Sequence, residues 1–485
     1  MRGPIRRQRP GDRVVRRPRQ SEMEPRRIHS QARRRILVPP SLSAMLSLTG
    51  GFAALIFVGT LLLMLPLSSA APGRADIITA LFTATSAVCI TGLVVVATGE
   101  YWSFFGQAVL VALMFLGGLG IMTSGLVILT ALGRRITLNQ RLVVREAMGG
   151  ATLGSVLTLG RYVLIFAVGV QAVGFILLFA RFLSYYPVGT AAWFGLFHSV
   201  SAFNNAGFDV FTDSSSLSRF TSDPLTLGMI GALIILGGLS FPVVAELARR
   251  HRPNRWSLDT RLVVVGTLVL WGVGGISMFL FELRNPATLG SMPLGDQLSN
   301  AAFQAVTART AGFSSINFGE TRPGNDFLFM LLMFVGGASG STAGGIKINT
   351  AMVLLVAGLA SVKGRPYTEI FGRELPQTQV IRALAVVLLA TAALFCIVVA
   401  LAVTEIHSFE TSRFGFIDVL FEATSAFGTT GLSTGITGIL TDPGKMVITV
   451  GMYLGRLGPL TIALGLALRE RRAVYRYAHE TVRIG

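Results

Sequence analysis

Four short segments decide the fold of this 485-residue chain: FTATSAVCITGL (82–93), FHSVSAFNNAGF (197–208), FQAVTARTAGF (303–313) and FEATSAFGTTGL (421–432). Each begins with phenylalanine, carries serine or threonine four positions later, and reaches a glycine before a large apolar residue. These glycines are Gly92, Gly207, Gly312 and Gly431, separated by 115, 105 and 119 residues. This spacing indicates an internal fourfold repeat rather than chance similarity between apolar helices.

A second motif follows each segment and supports the same repeat. Its four copies are FLGGLG (115–120), ILGGLS (235–240), FVGGAS (334–339) and YLGRLG (453–458). The first glycine of each copy comes 24 to 30 residues after the segment glycine, so two independent motifs share one period. In the fourth copy, Arg456 replaces the second glycine.

The composition places the chain in a membrane. It is 52% hydrophobic and 14% charged, with a mean hydropathy of +0.63, which is too apolar for a soluble protein of this length. Eight stretches are long enough to cross about 30 Å of hydrocarbon: about 43–66, 104–132, 161–183, 225–247, 261–283, 326–358, 380–404 and 444–468. The eight stretches form four successive pairs, and one repeated segment lies between the two members of each pair. These segments are too short to cross the membrane, so we expect them to be re-entrant.

The net charge of +18 is concentrated in clusters. Thirteen arginines lie in the first 35 residues, and further basic clusters follow the second, fourth, sixth and eighth apolar stretches. This recurrence predicts a basic cytoplasmic face that carries both termini, and it argues against nucleic acid as a partner. Anionic membrane lipid is the expected contact of the basic N-terminal tail, with docking of a cytoplasmic partner as the alternative.

A re-entrant segment that returns as extended backbone leaves carbonyl groups without helical partners. In hydrocarbon each unsatisfied group costs several kcal/mol, so such backbone must line water or coordinate an ion. Four of these segments around one axis would form a ring of carbonyl oxygens that can replace the hydration shell of a monovalent cation. The alternative is four interfacial loops that each end in a glycine.

The segments resemble those of the Trk/Ktr/HKT superfamily of potassium transporters. The resemblance extends over residues 43–470 and rests on AFNNAGF (202–208), TARTAGF (307–313) and SAFGTTGL (425–432). Eight apolar stretches rather than ten make the chain similar to the Ktr-type membrane subunit (KtrB-like). The resemblance implies an all-α integral membrane fold, with eight transmembrane helices in four tandem helix, pore-loop, helix repeats around a pseudo-fourfold central pore.

The resemblance also implies a selectivity filter whose backbone carbonyls bind potassium. Its residues are Ile90, Thr91, Gly92, Asn205, Ala206, Gly207, Thr310, Ala311, Gly312, Thr429, Thr430 and Gly431. Glycine at all four filter positions resembles the potassium-selective members, while sodium dependence is left open. The chain contains no GxxxxGK[ST] motif, so ATP or ADP is expected on a partner. The implied partners are a second copy, in a homodimer, and a cytoplasmic ring of nucleotide-binding RCK subunits (KtrA-like).

The sixth apolar stretch contains a glycine-rich run, GGASGSTAGGIK (336–347). Its four-residue glycine spacing suits close helix packing of the GxxxG kind. Glycine and hydroxyl residues at this density are poor helix formers, however, which favours irregular backbone beside a water-lined cavity. The resemblance makes the run an intramembrane gating loop. The predicted gate residues are Gly336, Gly337, Gly340, Ser341, Thr342, Gly344, Gly345, Lys347 and Arg456.

The two charged gate residues each have an alternative role. Lys347 either extends toward the interface as a topology charge or pairs with an acid when the loop moves. Arg456 is interpreted as an electrostatic barrier below the filter. The alternative is a structural bridge from Arg456 to an acid such as Glu422, or to a carbonyl end.

The predicted organisation is a basic cytoplasmic tail (1–42), repeat 1 (43–150), repeat 2 (151–260), repeat 3 (261–378), repeat 4 (379–470) and a cytoplasmic tail (471–485). The predicted function is potassium uptake across the cytoplasmic (inner) membrane. Sodium-coupled or sodium-selective symport on the same fold is the alternative. An enzyme is disfavoured because no Ser/His, Cys/His or carboxylate pair recurs at catalytic spacing, and a purely structural protein would leave the fourfold glycine unexplained.

Overall fold

The computed structural model describes residues 40–71, 73–131, 156–212, 216–249, 252–410 and 414–468. The predicted cytoplasmic C-terminal tail (471–485) lies outside these ranges, as does the N-terminal tail up to residue 39.

The described chain is almost entirely helical. Its helices are α1 Pro40–Leu63, α2 Ile77–Cys89, α3 Thr98–Tyr101, α4 Phe104–Ala131, α5 Val156–Phe182, α6 Val188–Phe203, α7 Pro224–Gly238, α8 Phe241–Arg249, α9 Leu258–Glu282, α10 Leu294–Thr307, α11 Pro323–Phe334, α12 Ile348–Val362, α13 Gln377–Thr404, α14 Ile406–Glu410, α15 Phe416–Gly428 and α16 Asp442–Leu468. A two-stranded antiparallel hairpin, Glu369–Ile370 with Arg373–Glu374, follows α12.

The same order of helices occurs four times. A long first helix (α1, α5, α9, α13) packs against a short helix (α2, α6, α10, α15), called the pore helix below because it begins the predicted pore loop, and a second helix follows (α4, α7, α11, α16). Each second helix also packs against the pore helix of the next repeat, and α16 of the fourth repeat packs against α2 of the first. The four repeats therefore close into a ring with the pore helices inside.

The pore helices are anchored by the phenylalanine that opens each repeated segment. Phe82, Phe197, Phe303 and Phe421 are all buried. Burying a side chain of this size contributes about 2–3 kcal/mol, which fixes the depth and rotation of each short helix.

Two of these short helices begin with a carboxylate that accepts a backbone hydrogen bond. At the N-terminus of α2, the Asp76 carboxylate accepts a hydrogen bond from the Ile78 amide at 3.0 Å. At the start of α15, the Asp418 carboxylate accepts one from the Gly415 amide at 2.8 Å.

Three helices in the described residues are long and apolar enough to cross a membrane: Gly160–Phe182, Leu258–Glu282 and Gln377–Thr404. Helices α7 and α8, bent by 103°, make a fourth if they count as one crossing. The glycine motif interrupts three of the four second helices, whereas α16 continues through it from Asp442 to Leu468. Gly120 is non-helical within α4 (φ 73°), α7 ends at Gly238, and α11 ends at Phe334. The eight-crossing arrangement therefore stays a prediction.

Candidate functional site

The four repeated segments meet in a closed ring, formed by residues 90–92, 205–207, 310–312 and 429–431 and called the ring segments below. A Cβ placed on each glycine would lie within 2.8 Å of a carbonyl oxygen in the next segment: Gly92 against Ala206, Gly207 against Ala311, Gly312 against Thr430 and Gly431 against Thr91. Such approaches are too close for any side chain. The sequence position of each glycine is thus set by its contact with the following repeat.

The ring segments share one backbone conformation. Their first residues all have positive φ, at 51° for Ile90, 57° for Asn205, 67° for Thr310 and 50° for Thr429. Their glycines have φ between 72° and 90°. A left-handed conformation costs a residue with a side chain about 1–2 kcal/mol, so its recurrence at four non-glycine positions points to a backbone shaped for a task.

A hydroxyl group in each pore helix holds the returning backbone. Three of these hydroxyls donate to the carbonyl that follows the ring glycine: Ser86 to Leu93 (2.8 Å), Ser201 to Phe208 (2.7 Å) and Thr307 to Phe313 (2.7 Å). In the fourth repeat the Ser425 hydroxyl accepts from the Gly431 amide at 3.0 Å. These residues are not among the predicted filter or gate residues, although their fixed position four residues after the phenylalanine was a signal for them.

A cavity of about 400 Å³ opens where the chain leaves the ring. All four ring glycines line it, and its other lining residues include the polar Ser216, Ser314, Asn317, Ser433 and Thr437. Its lining includes one carboxylate, Asp209, which the sequence analysis missed although it follows Phe208 directly. A cavity lined by hydroxyl groups and a carboxyl group offers oxygen ligands to a hydrated cation.

The predicted gating loop contacts the opposite, pore-helix side of the ring. A Cβ on Gly344 would overlap the Thr429 hydroxyl, and one on Gly336 would lie 3.2 Å from the Thr310 methyl group. Gly340 and Gly345 have φ of 78° and 63°. Residues 335–347 are not helical, so the GxxxG helix-packing alternative is wrong and the backbone is irregular as predicted.

The loop is closed at its base and held by repeat 2. Val335 and Ile346 form a parallel bridge, and the Gly336 amide donates to the Ile346 carbonyl at 2.8 Å. The Thr342 hydroxyl and amide both donate to the Gly237 carbonyl, at 2.9 and 3.3 Å. Because α7 ends at Gly238, this carbonyl has no further turn of helix to bind and accepts from the loop instead.

The remaining predicted residues form hydrogen bonds with groups inside the loop or at its end. The Ser341 amide donates to the Ala338 carbonyl at 3.1 Å, and the Gly337 carbonyl accepts from the Ile348 amide at 3.0 Å. The Lys347 ammonium donates to the Ala343 carbonyl of the same loop. This partner is a backbone oxygen four residues away, and the two predicted roles of Lys347 stay predictions.

Two arginines from outside the loop bind it, one from repeat 4 and one from the same repeat. Arg456 donates to the Thr342 carbonyl and, at 2.9 Å, to the Gly117 carbonyl of repeat 1. Its alternative bridge to Glu422 is wrong, because that carboxylate accepts from the Ser433 and Thr437 hydroxyls. The alternative bridge to a carbonyl is the one observed.

The second arginine, Arg309, was not predicted as a site residue. Its Nη2 donates to the Gly336 carbonyl at 2.9 Å. A lone arginine inside an apolar pore-loop motif was the available signal for it.

Several known proteins are similar to this chain. The family model described as "TrkH: Cation transport protein" matches residues 47–474. The Ktr system potassium uptake protein B of Bacillus subtilis is 39% identical, over 89% of this chain and 94% of that protein. The potassium/sodium uptake protein NtpJ of Enterococcus hirae is 37% identical, over 92% and 98%. These relatives are ion transporters and not enzymes.

A solved structure agrees with the fold. The potassium transporter TrkH from Vibrio parahaemolyticus aligns with a TM-score of 0.65 and 19% identity, over 88% of this chain and 86% of that one. Together with the match of the family model and the identity to the relatives, this likeness leads to one conclusion. The chain belongs to the TrkH family of cation transport proteins and is a membrane-embedded potassium transporter of the Trk/Ktr type.

Proposed function

We propose that this chain is the membrane subunit of a Ktr-type potassium uptake system and that the four ring segments are its selectivity filter. The closed ring, in which each glycine faces a carbonyl of the next repeat, carries this proposal. Carbonyl oxygens can replace the hydration shell of potassium. The hydroxyls of Thr91, Thr310, Thr429 and Thr430 are buried without hydrogen-bond partners among the described residues, and they add oxygen atoms at the same ring.

The conduction path runs from the cavity through the ring to the gating loop. A cation enters the cavity beside Asp209, exchanges water for ring carbonyls, and then meets residues 336–347 and Arg456 on the far side. A potential of 100 mV is worth about 2.3 kcal/mol per unit charge, enough for roughly fifty-fold accumulation without another energy source. Uptake then depends on whether the loop obstructs the path.

The proposed assembly follows from the Ktr type. It is a homodimer in the cytoplasmic (inner) membrane, each chain crossing eight times with both termini in the cytoplasm, bound to an RCK ring that carries ATP or ADP. The name "Ktr system potassium uptake protein B" describes a relative that is one component of a system. The periodic basic clusters support termini in the cytoplasm. The lack of a nucleotide-binding motif supports binding of ATP or ADP by the RCK ring.

Flux in liposomes tests the proposal. The full chain should take up potassium or its tracer rubidium when the interior is held negative, and removing sodium should not abolish uptake. Adding an RCK ring from the same genome should make uptake respond to ATP and ADP, whereas tight ATP binding by this chain alone would contradict the regulatory part. No potassium uptake by a folded dimer would overturn the filter proposal.

Sodium-coupled symport is the second candidate, because the relative NtpJ is named a potassium/sodium uptake protein. It predicts a strict requirement for sodium on the side from which potassium enters. It also predicts accumulation beyond the electrical equilibrium, which the same liposomes measure.

Shortening the gating loop should raise flux. Deleting residues 340–345 removes the part of the loop that contacts Thr429, while Val335 and Ile346 already lie side by side, so the shortened chain can close. Potassium flux should rise at least about tenfold with selectivity retained, because the ring is untouched. Equal flux from a folded, dimeric deletion variant would show that the loop is not a gate.

A further inference from the structure

Arg309 connects the ring to the base of the gating loop. It follows the end of pore helix α10 by two residues and directly precedes Thr310, the first residue of the third ring segment. Its side chain is only 6% exposed, and its Nη2 donates to the Gly336 carbonyl at 2.9 Å. Gly336 is also the residue whose amide closes the loop on Ile346. One peptide group thus belongs to both the loop base and the Arg309 contact.

The electrostatic setting of Arg309 is unusual for a buried arginine. Among the described residues it has no carboxylate partner, and its Nε has no hydrogen-bond partner. A small cavity of about 20 Å³ beside it, lined also by Asn205, Thr267 and Trp271, has room for one water molecule. Burying an arginine at such a site costs free energy. If Arg309 only filled space, an apolar residue could replace it without loss of function.

Arg456 binds the same loop in a different way. It contacts Thr342, near the tip of the loop, from helix α16, which contributes no residue to the ring segments. Arg309 contacts Gly336 at the base of the loop, and the backbone of Arg309 itself continues into the ring. Releasing the contact of Arg456 with Thr342 frees the loop without freeing a ring segment. Releasing the contact of Arg309 with Gly336 also frees the third ring segment.

We infer that Arg309 is a positioning residue that couples the gating loop to the filter, because it ties the base of the loop to the third ring segment. The inference rests on the proposed roles of the ring and the loop. When the loop moves, the Gly336 peptide must either break its bond to Arg309 or displace the backbone beside Thr310.

Arg309→Met keeps much of the side-chain volume and removes the hydrogen bond from this side chain to the Gly336 carbonyl. In liposomes holding the full chain, we expect the preference for rubidium over sodium to fall at least about fivefold while total flux rises. Arg309→Lys retains a donor and should restore most of the preference. Arg309→Gln, which keeps a shorter donor, should lie between them and decides the matter if the Met variant does not fold.

Arg181→Met is the matched control. Arg181 forms an ion pair with Asp223 at 2.9 Å, away from the ring, so its loss should lower thermal stability and leave selectivity unchanged. Two results would overturn the inference. One is a rise in flux with full selectivity in the Met and Gln variants, which indicates a charge barrier only. The other is lower stability with unchanged flux and selectivity. If the parent chain itself shows no potassium preference, the filter proposal fails instead.

Discussion

Gly431→Ser should abolish most of the preference for potassium over sodium. The new Cβ would overlap the Thr91 carbonyl oxygen and lie 3.0 Å from the Gly92 Cα, and both are backbone atoms that no rotamer change can move. Gly431 also has φ of 90°, where a residue with a side chain is strained by about 1–3 kcal/mol. Selectivity should fall by at least about tenfold, since 1.4 kcal/mol corresponds to a factor of ten. Rubidium uptake in competition with sodium measures it.

Gly228→Ser provides the control for this substitution. Gly228 lies in helix α7, and a Cβ there meets no atom within 4 Å, so the same chemical change is accommodated. Gly92→Ser, whose Cβ would lie 2.6 Å from the Ala206 carbonyl oxygen, should repeat the Gly431→Ser result. If both ring variants are folded and keep the parent's ion competition, the ring is not the filter.

Arg456→Gln should raise potassium flux with little change in selectivity. The substitution removes a permanent positive charge beside the path and weakens the contact that holds Thr342. At about 5 Å and an effective dielectric constant near 20, two unit charges repel by about 3 kcal/mol, which corresponds to a slowing on the order of a hundredfold when unscreened. Flux and thermal stability should be measured in the same preparation, because a merely structural contact would lower stability without raising flux.

Arg456→Lys separates the charge from the hydrogen bonds. Lysine keeps the positive charge but cannot donate to Thr342 and Gly117 in the bidentate manner of arginine. If charge is the barrier, flux through the Lys variant should remain within a few fold of the parent. A well-folded Gln variant with unaltered or lower flux would rule out the barrier.

The sequence by itself determined the features that every repeat needs locally. Glycine at the end of each ring segment, the hydroxyl four residues after phenylalanine and the first glycine of the second motif recur in all four repeats because each repeat must form the same local structure. The irregular backbone at residues 336–347 was also predictable, since its glycines and hydroxyl residues disfavour helix. These requirements act within a few residues, so a repeated pattern reveals them.

Only the tertiary structure decided which repeat each group contacts. Glu422 was one predicted partner of Arg456. Arg456 instead binds the carbonyls of Thr342 and Gly117, which lie 114 and 339 positions away in the sequence. In the sequence, Arg309 is only one residue of a filter motif. Its contact with Gly336 is visible only in the structure. Such pairings depend on how the repeats close around one axis. A periodic pattern repeats the same information in every copy, so it cannot specify contacts that differ between copies.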